Sequence, residues 1–347
     1  MYIKKILIVI ALVGLVISAF FAYYIYAAMF KPNTAFNNET AYIYIPTNSR
    51  YNEVRSQLEP LLIDIETFDA LAERKKYITN IKAGKYAIKK GMNNNAIINS
   101  IRSRNIPITL SFNNQDSIEK LAGRIASQIE EDSLSLLHAM KDEAFLKANG
   151  FTPATALGMY LPNSYEFFWN TSAEQYRSRM FKEYNRFWND VRKNKAETIG
   201  LSRDKVIALA SIVYEESKQS EEQPRIAGVY MNRLRIGMPL QADPTLKFAA
   251  YQLPQYKNTV IKRVLNIHKD IDSPYNTYKN LGIPPGLIAM PDISAIDAVL
   301  NYEKHQYLYF AADANRLGYH KFAKTLSQHN VNAREYHRYL SSQGINR

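Results

Sequence analysis

The sequence lacks several residue types and motifs that would define common site chemistries. It contains no cysteine among its 347 residues, so disulfides, thiolate metal ligands and cysteine nucleophiles are excluded. It has no HExxH pattern, no Cys/His ligand spacing and no nucleotide-binding motif. No run of Lys and Arg forms a nucleic-acid-binding arm, which counts against a basic, membrane-anchored nucleic-acid binder. We therefore predict no cofactor, no metal and no nucleic-acid partner.

The charge of the chain is strongly positive. Lys and Arg number 44 against 32 Asp and Glu, which gives a formal net charge of +12. An anionic partner would fit this charge, whether nucleic acid, acidic lipid or an anionic cell-wall polymer. Most basic residues stand singly between tyrosines and asparagines, a pattern that is also typical of an ordinary solvated surface. The length, with a hydrophobic fraction of 46%, predicts two domains.

An uncharged apolar run covers residues 6–30, "ILIVIALVGLVISAFFAYYIYAAMF". A helix of this length spans a hydrocarbon core of roughly 30 Å, and the run exceeds the about 7–15 residues of a signal-peptide core. Lys4 and Lys5 precede it, so the N-terminus is predicted to lie in the cytoplasm. The alternative is a cleaved signal peptide, because "YAA" resembles a cleavage site. Either way, the rest of the chain is predicted to lie outside the inner membrane.

The overall pattern predicts an α+β protein with a transmembrane helix, a small module and a larger catalytic domain. The module combines a strand over 41–46, helices near 50–58 and 66–76, and a strand, turn and helix over 83–104. It resembles a LysM-like unit, a fold that often binds sugar polymers, although a spacer without a ligand fits equally well. The predicted divisions are a cytoplasmic tail (1–5), an anchor (6–30), a linker (31–40), the module (41–110), a connecting helical region (111–150) and the catalytic domain (151–347).

A buried helix that ends in carboxylates is the most informative local feature. Ser202 is a good N-cap, and the run Val206–Val213 is apolar on nearly every face. The helix then reaches Glu215 and Glu216, where its dipole disfavours negative charge. A carboxyl group at the end of an apolar helix loses hydration and has a raised pKa, as a general acid requires. Helical spacing does not choose between the two, and both can be surface acids at a helix end.

A second helix and a polar loop follow the carboxylates. Tyr230 belongs to an apolar stripe, and Gly237 allows a tight turn after the helix. Gln241, Asp243 and Thr245 then alternate with other residues. Such a set can hydrogen-bond a polyhydroxylated ligand, or it can cap the loop on itself.

These blocks together resemble a known family. "ASIVYEES" followed by "YMNRLRIGMPLQADPT" is similar to the endolytic murein transglycosylases, the YceG-like family. The blocks 273–291, 307–330 and, more loosely, 157–167 agree with it. Leu157, Asn163, Met290 and Asp292 depart from the residues usual in that family.

The resemblance implies a complete activity. Glu216 would protonate the oxygen leaving C1 of N-acetylmuramic acid and then take a proton from the C6 hydroxyl, which closes a 1,6-anhydro ring. Glu215 would not be essential. Residues expected to bind substrate or support the site are Ser217, Glu222, Asn232, Arg233, Gln241, Asp243, Thr245, Tyr275, Asn276, Tyr278 and His329. The implied partners are peptidoglycan glycan strands and cell-wall synthases (penicillin-binding proteins).

Two alternatives stay open at this point. One is a hydrolytic muramidase with Asp243 as its second carboxylate. The other is a non-catalytic scaffold that binds glycan and recruits synthases.

Overall fold

The computed structural model describes residues 2–256, 259–261 and 263–343 and confirms a mixed α+β protein. The chain divides into two compact units. The first comprises residues up to Leu110, with Gln128–Glu131 and Tyr165–Ser172; the second comprises Ser111–Ser127, Asp132–Ser164 and the chain from Ala173 onward. Met1 of the predicted tail and residues 344–347 of the predicted catalytic domain lie outside the described residues. The sequence-based domain boundaries stay predictions.

The first unit begins with a long apolar helix, α1 (Tyr2–Phe30). None of its residues is buried. Within the described part of the chain, it is the one helix long and apolar enough to cross a membrane. Its length and composition are consistent with a single-pass membrane anchor.

A small α/β core follows α1. Its elements are β1 (Thr40–Ile45), α2 (Tyr51–Leu58), α3 (Ile65–Arg74), β2 (Gly84–Lys89) and α4 (Asn94–Ser103). The two strands pair antiparallel, with Thr40 opposite Lys89. The apolar stripe of α4 (Ile97, Ile98 and Ile101) is fully buried against Ile45 and Ile88, as its helical spacing predicts. The strands and helices predicted here are confirmed, and the LysM-like character of the module stays a prediction.

Asparagine side chains tie the end of α1 to this core. The Asn94 amide donates a hydrogen bond of 2.8 Å to the carbonyl of Ala28, and the Asn33 amide donates one of 2.6 Å to Asn94 Oδ1. Asn33 also bonds both the N–H and the carbonyl of Asp64, at 2.8 and 2.7 Å. The last carbonyls of a helix lack partners within it, so these bonds satisfy one of them. The first residues of the segment 31–40 therefore make fixed contacts with the core.

The second unit is mostly helical. Strands β3 (Pro107–Phe112) and β4 (Asn163–Phe168) pair with each other, and each has residues in both units. The other elements of the second unit are α5 (Ile118–Ala126), α6 (Ser133–Met140), α7 (Glu143–Ala148), α8 (Ala173–Phe187), α9 (Asp190–Thr198), α10 (Arg203–Glu216), α11 (Gln223–Arg235), α12 (Asp243–Tyr251), α13 (Asn266–Lys269), α14 (Ile293–Leu300), β5 (Tyr309–Ala312), β6 (His320–Ala323) and α15 (Leu326–Ser342). Strands β5 and β6 form an antiparallel hairpin.

Helix α10 lies at the centre of this unit, as its apolar sequence predicts. Every residue from Val206 to Val213 is buried, and the helix packs against α11 and α14. Ser211 receives a hydrogen bond of 3.2 Å from the Ile288 N–H, which fixes the loop before α14 on the helix. Ser202 occupies the N-cap position, as predicted, and its side chain makes no capping hydrogen bond there.

The loop that contains "GIPPG" approaches another backbone segment very closely at Gly286. The Leu287 N–H donates to the carbonyl of Ala154 at 3.3 Å. A Cβ atom on Gly286 would stand 2.2 Å from the same carbonyl oxygen. The position therefore requires glycine for close packing of two chain segments.

Candidate active site

Glu216 is the last residue of α10, and its carboxyl group is enclosed by other side chains. The Tyr230 hydroxyl of α11 donates a hydrogen bond of 2.8 Å to Glu216 Oε1. The residue keeps some exposed surface, but burial of its carboxyl raises the pKa to about 7. The Tyr230 hydrogen bond and electrostatic interactions with His320 and Arg233 lower this pKa, whereas an electrostatic interaction with Asp243 raises it. The group is therefore poised to lose and regain a proton near neutral pH.

Glu215 has a different environment from its neighbour. It is exposed and forms an ion pair with Lys218, with a distance of 2.7 Å between Oε1 and Nζ. Such surface pairs contribute little to stability. The structure thus gives different environments to two adjacent acids that helical spacing could not distinguish.

Tyr230 is the main partner of Glu216 and was not predicted as a site residue. It is almost fully buried, and its ring meets Phe310 of β5 edge-on with 6.0 Å between centroids. Burial and the adjacent Glu216 carboxylate raise its pKa well above the ordinary value, so the hydroxyl stays a donor. A buried tyrosine hydroxyl usually needs a partner, and this is the signal that could have identified it.

Arg233 supplies a buried positive charge one turn further along α11. Its Nε donates to the Leu308 carbonyl at 2.7 Å, and its Nη1 donates to the Leu240 carbonyl at 2.6 Å. Burial lowers the pKa of the guanidinium, which nevertheless stays charged because the ordinary value is far above neutral. Its guanidinium also lies over the Tyr309 ring, 5.3 Å from the centroid.

A buried glutamate holds a histidine on the other side of Glu216. Glu222 accepts from the His320 backbone N–H at 2.8 Å and lies 2.9 Å from His320 Nδ1. The His320 ring contacts Phe310, which also packs on Tyr230. That Glu222 supports the site stays a prediction, and His320 was not among the predicted site residues.

Asp243 and Tyr278 form a second, more open pair. The Tyr278 hydroxyl donates to Asp243 Oδ1 at 2.6 Å, and burial raises its pKa. Asp243 is exposed at the start of α12. Gln241, two residues earlier, is exposed in a left-handed backbone conformation with φ of 47°. These side chains keep surface that a ligand can reach.

Several predicted ligand-binding residues use their polar groups within the protein. The Asn232 amide donates to the carbonyls of His305 and Tyr307, at 2.9 and 3.0 Å. The Asn276 amide donates to those of Lys269 and Ile271, at 2.9 and 2.8 Å. These two asparagines therefore fix the loops around the site.

Three further residues predicted to bind substrate or support the site also contact other parts of the protein. The Thr245 hydroxyl donates to the Ala242 carbonyl at 2.7 Å and is fully buried. Ser217 is the C-cap residue that follows α10, and its hydroxyl accepts from the Gln219 N–H at 3.2 Å. Tyr275 is buried and packs on the Phe248 ring with 4.6 Å between centroids.

His329 of α15 stacks on Tyr309 with 5.5 Å between ring centroids. Burial and the positive charge of Arg233 lower its pKa, so the imidazole is neutral at pH 7. Its Nδ1 is buried and has no hydrogen-bond partner among the described residues. Among those same residues, no three His, Asp or Glu side chains form a group that could hold a metal ion.

The class of protein follows from this geometry and from comparison with known proteins. A carboxyl group with a pKa near 7, a tyrosine donor and compensating charges nearby has the properties that acid–base catalysis requires. The sequence profile of the YceG-like family matches residues 43–335. The chain belongs to the YceG-like family and is an enzyme, a lytic transglycosylase.

Individual relatives agree with this assignment. A Bacillus subtilis protein named endolytic murein transglycosylase is 30% identical over 332 residues, which cover 89% of this chain and 88% of that protein. A Streptococcus pneumoniae protein of the same name is 26% identical, with 91% of this chain and 62% of the relative covered. The crystal structure of a YceG-like protein from Listeria monocytogenes superposes with a TM-score of 0.56 at 28% identity, covering 85% of this chain and 99% of that chain.

Proposed function

We propose that this protein cleaves the β-1,4 bond between N-acetylmuramic acid and N-acetylglucosamine within nascent peptidoglycan strands. The reaction uses no water and leaves 1,6-anhydro-muramyl ends. The environment of Glu216 carries the proposal, because its pKa of about 7 suits a group that must act as acid and then as base. The names of the Bacillus and Streptococcus relatives support murein as the substrate.

The proposed reaction needs only one catalytic carboxyl group. The Glu216 acid gives its proton to the glycosidic oxygen as the bond from C1 to that oxygen breaks. The C6 hydroxyl of the same muramyl residue attacks C1, and its proton passes to the Glu216 carboxylate. A new bond from C1 to O6 thus replaces the broken one, and the enzyme recovers its proton. Because the nucleophile belongs to the substrate, its proximity to C1 is built in.

The surroundings of Glu216 support both protonation states. Burial and the Asp243 carboxylate favour the neutral acid that donates the first proton. The Tyr230 hydroxyl and electrostatic interactions with Arg233 and His320 favour the carboxylate that accepts the second. We assign to Tyr230 and to the Glu222–His320 pair the role of holding the Glu216 pKa between these opposing effects.

The predicted substrate contacts divide into two groups in this proposal. Asp243, Tyr278 and Gln241 keep accessible polar groups and are the best candidates for direct contact with sugar hydroxyls. Tyr309 and the neutral His329 offer a stacked aromatic surface to a sugar ring. Ser217, Asn232, Thr245, Tyr275 and Asn276 would shape the walls, since their polar or aromatic groups already contact the protein.

The proposed location follows from α1. We infer a single-pass protein of the inner membrane with a cytoplasmic N-terminus and an extracytoplasmic catalytic body, since Lys4 and Lys5 lie in the first turns of α1, before its uncharged run. Glycan strands are the proposed partner outside the membrane. Cell-wall synthases stay a prediction based on family resemblance.

Product analysis in water labelled with oxygen-18 tests the reaction. We expect purified protein to produce 1,6-anhydro-muramyl ends without label, as measured by mass spectrometry of digested strands. Reducing muramyl ends that contain oxygen-18 would contradict the proposal and favour a muramidase that uses Asp243. Intact strands after incubation would favour the non-catalytic scaffold.

The pH dependence of cleavage tests the Tyr230 contact. Wild-type kcat/KM is expected to fall as pH rises through about 7, because the acid form of Glu216 is lost. The Tyr230 hydrogen bond lowers this pKa, so Tyr230→Phe is expected to shift the alkaline limb to higher pH. Tyr160→Phe is the matched control. It also removes a buried tyrosine hydroxyl, but the Tyr160 hydroxyl has no hydrogen-bond partner among the described residues. A limb at the same pH in Tyr230→Phe and wild type would contradict the assignment.

A further inference from the structure

A cavity lies beside α12, and its lining residues do not include Glu216 or the partners of Glu216 described above. It has a volume of about 520 Å³ and is called the α12 pocket here. Its apolar surface includes Phe248, Tyr251 and Ile288. Tyr251 is 42% exposed, so its ring is accessible from solvent. The pocket thus offers an apolar surface of a size that suits a small ligand group.

The α12 pocket is adjacent to the proposed reaction site through two elements. Glu215, which lines it, directly precedes Glu216 on α10. Asp243 begins α12, and Phe248 follows five residues later, about 8 Å along the helix axis. The Phe248 ring also packs on Tyr275 of the predicted substrate-binding loop. The pocket and the proposed reaction site therefore share the end of α10 and the start of α12.

Charges of both signs surround the apolar surface. Asp116 pairs with Lys120, and Glu215 pairs with Lys218, so three of these four groups lie at the pocket with their charges partly balanced. Lys247 also lines the pocket and makes no ion pair with any residue that the structure describes. The pocket therefore has an available cation next to an aromatic surface.

The chemistry of the substrate limits what this pocket can recognise. N-acetylated sugars of a glycan strand carry hydroxyl and amide groups but no charge. The stem peptide attached to the lactyl group of muramic acid carries free carboxylates and alanine methyl groups. A cation beside an apolar surface complements such a peptide and not a neutral sugar.

We propose that the α12 pocket binds the stem peptide of a muramyl residue near the cleaved bond, with Lys247 contacting a peptide carboxylate. The enzyme then prefers strands that carry peptides to strands from which an amidase has removed them. This inference rests on the proposed function and specifies that the preferred substrate is a glycan strand that carries stem peptides.

Two strand preparations test the preference. The ratio of kcat/KM on peptide-bearing strands to that on amidase-treated strands is expected to be well above one for the wild-type full-length protein. A charge-assisted hydrogen bond corresponds to about a tenfold effect, so Lys247→Gln should lower this ratio about tenfold and Lys247→Glu further. Lys193→Gln is the control, because Lys193 lies on α9 in an exposed ion pair with Asp190. Equal efficiency on both strands, or an unchanged ratio in both Lys247 variants, overturns the inference while leaving the proposed cleavage intact.

A binding measurement tests the pocket without relying on cleavage. Soluble muramyl tripeptide, titrated calorimetrically into the Glu216→Gln full-length protein, is expected to bind about tenfold more weakly after Lys247→Gln and equally well after Lys193→Gln. A Kd that Lys247→Gln and Lys247→Glu leave unchanged, or no binding at all, overturns the assignment of the pocket. Failure of the proposed reaction would appear instead as absence of cleavage on both strand types.

Discussion

The Glu216→Gln variant is expected to lose strand cleavage by at least about a thousandfold. General acid–base catalysis by one side chain contributes roughly 10²–10⁴-fold to a rate, and here the same group serves both proton transfers. An amide has nearly the shape of the acid, but it can neither donate the first proton nor accept the second. The Tyr230 hydroxyl can still donate to the amide oxygen, so the local packing is retained. The measurement is the rate at which 1,6-anhydro ends appear, with Glu215→Gln as the matched control that keeps its activity.

Thermal unfolding of the same variant separates a catalytic role from a folding defect. The pKa of Glu216 is raised from 4.5 to about 7 in the folded state, so the neutral acid contributes stability that is fully present below about 4.5 and is lost as pH rises through 7. The amide introduced by Glu216→Gln cannot ionise, so the variant is expected to have a higher Tm than wild type at pH 8, with the difference shrinking at pH 4.5. Retained cleavage by this variant, or a Tm difference that is the same at both pH values, would count against the buried acid.

Gly286→Ala is expected to destabilise the protein by more than about 2 kcal/mol. The added methyl group would stand 2.2 Å from the Ala154 carbonyl oxygen, and backbone atoms cannot move aside as a flexible side chain can. Overpacking of this kind typically costs about 1–3 kcal/mol and sometimes more. Because the Leu287 N–H bonds the same carbonyl, the displaced loop would also lose that hydrogen bond. Equilibrium denaturation of the purified variant gives the free energy of unfolding.

Gly123→Ala provides the control for this substitution. Gly123 lies on the exposed side of α5, and no atom stands within 4 Å of a Cβ added there. Alanine in a helix interior is more favourable than glycine by about 0.5–1 kcal/mol, so this variant should be slightly more stable than wild type. If Gly286→Ala were as stable as Gly123→Ala, the close approach of the two backbone segments would be wrong.

Local sequence patterns were enough to predict many of the elements. The apolar spacing of Ile97, Ile98 and Ile101 identified the buried face of α4, and the unbroken apolar run of α10 identified a central helix. These predictions succeed because the buried face of a helix requires apolar residues at a regular spacing, which can be read directly from the sequence. The two-unit division is harder to predict, since Gln128–Glu131 and Tyr165–Ser172 join the first unit from distant positions in the chain.

The partners of Glu216 depend on contacts that local patterns do not encode. His320 comes to Glu222 from 98 positions away, through the β5–β6 hairpin, which the sequence analysis did not predict. Tyr230 has the spacing of an apolar stripe, and only the fold turns its hydroxyl toward a carboxylate. Asn232 and Asn276 were expected from the family resemblance to bind substrate or support the site, and their amides bond backbone carbonyls, which an amide does as readily as it bonds a sugar. Family resemblance identified Glu216, which helical spacing could not distinguish from Glu215.

The asparagine bonds at the end of α1 have a mechanical consequence. A flexible polar linker would allow the β1–α4 core to rotate relative to α1. The hydrogen bonds of Asn33 and Asn94 restrict that rotation. The 29-residue helix is roughly 44 Å long and so acts as a lever on the core. Where α1 lies in a bilayer, its tilt responds to hydrocarbon thickness. In a bilayer, a change in thickness that tilts α1 is therefore expected to tilt the attached core with it, without any ligand or covalent change.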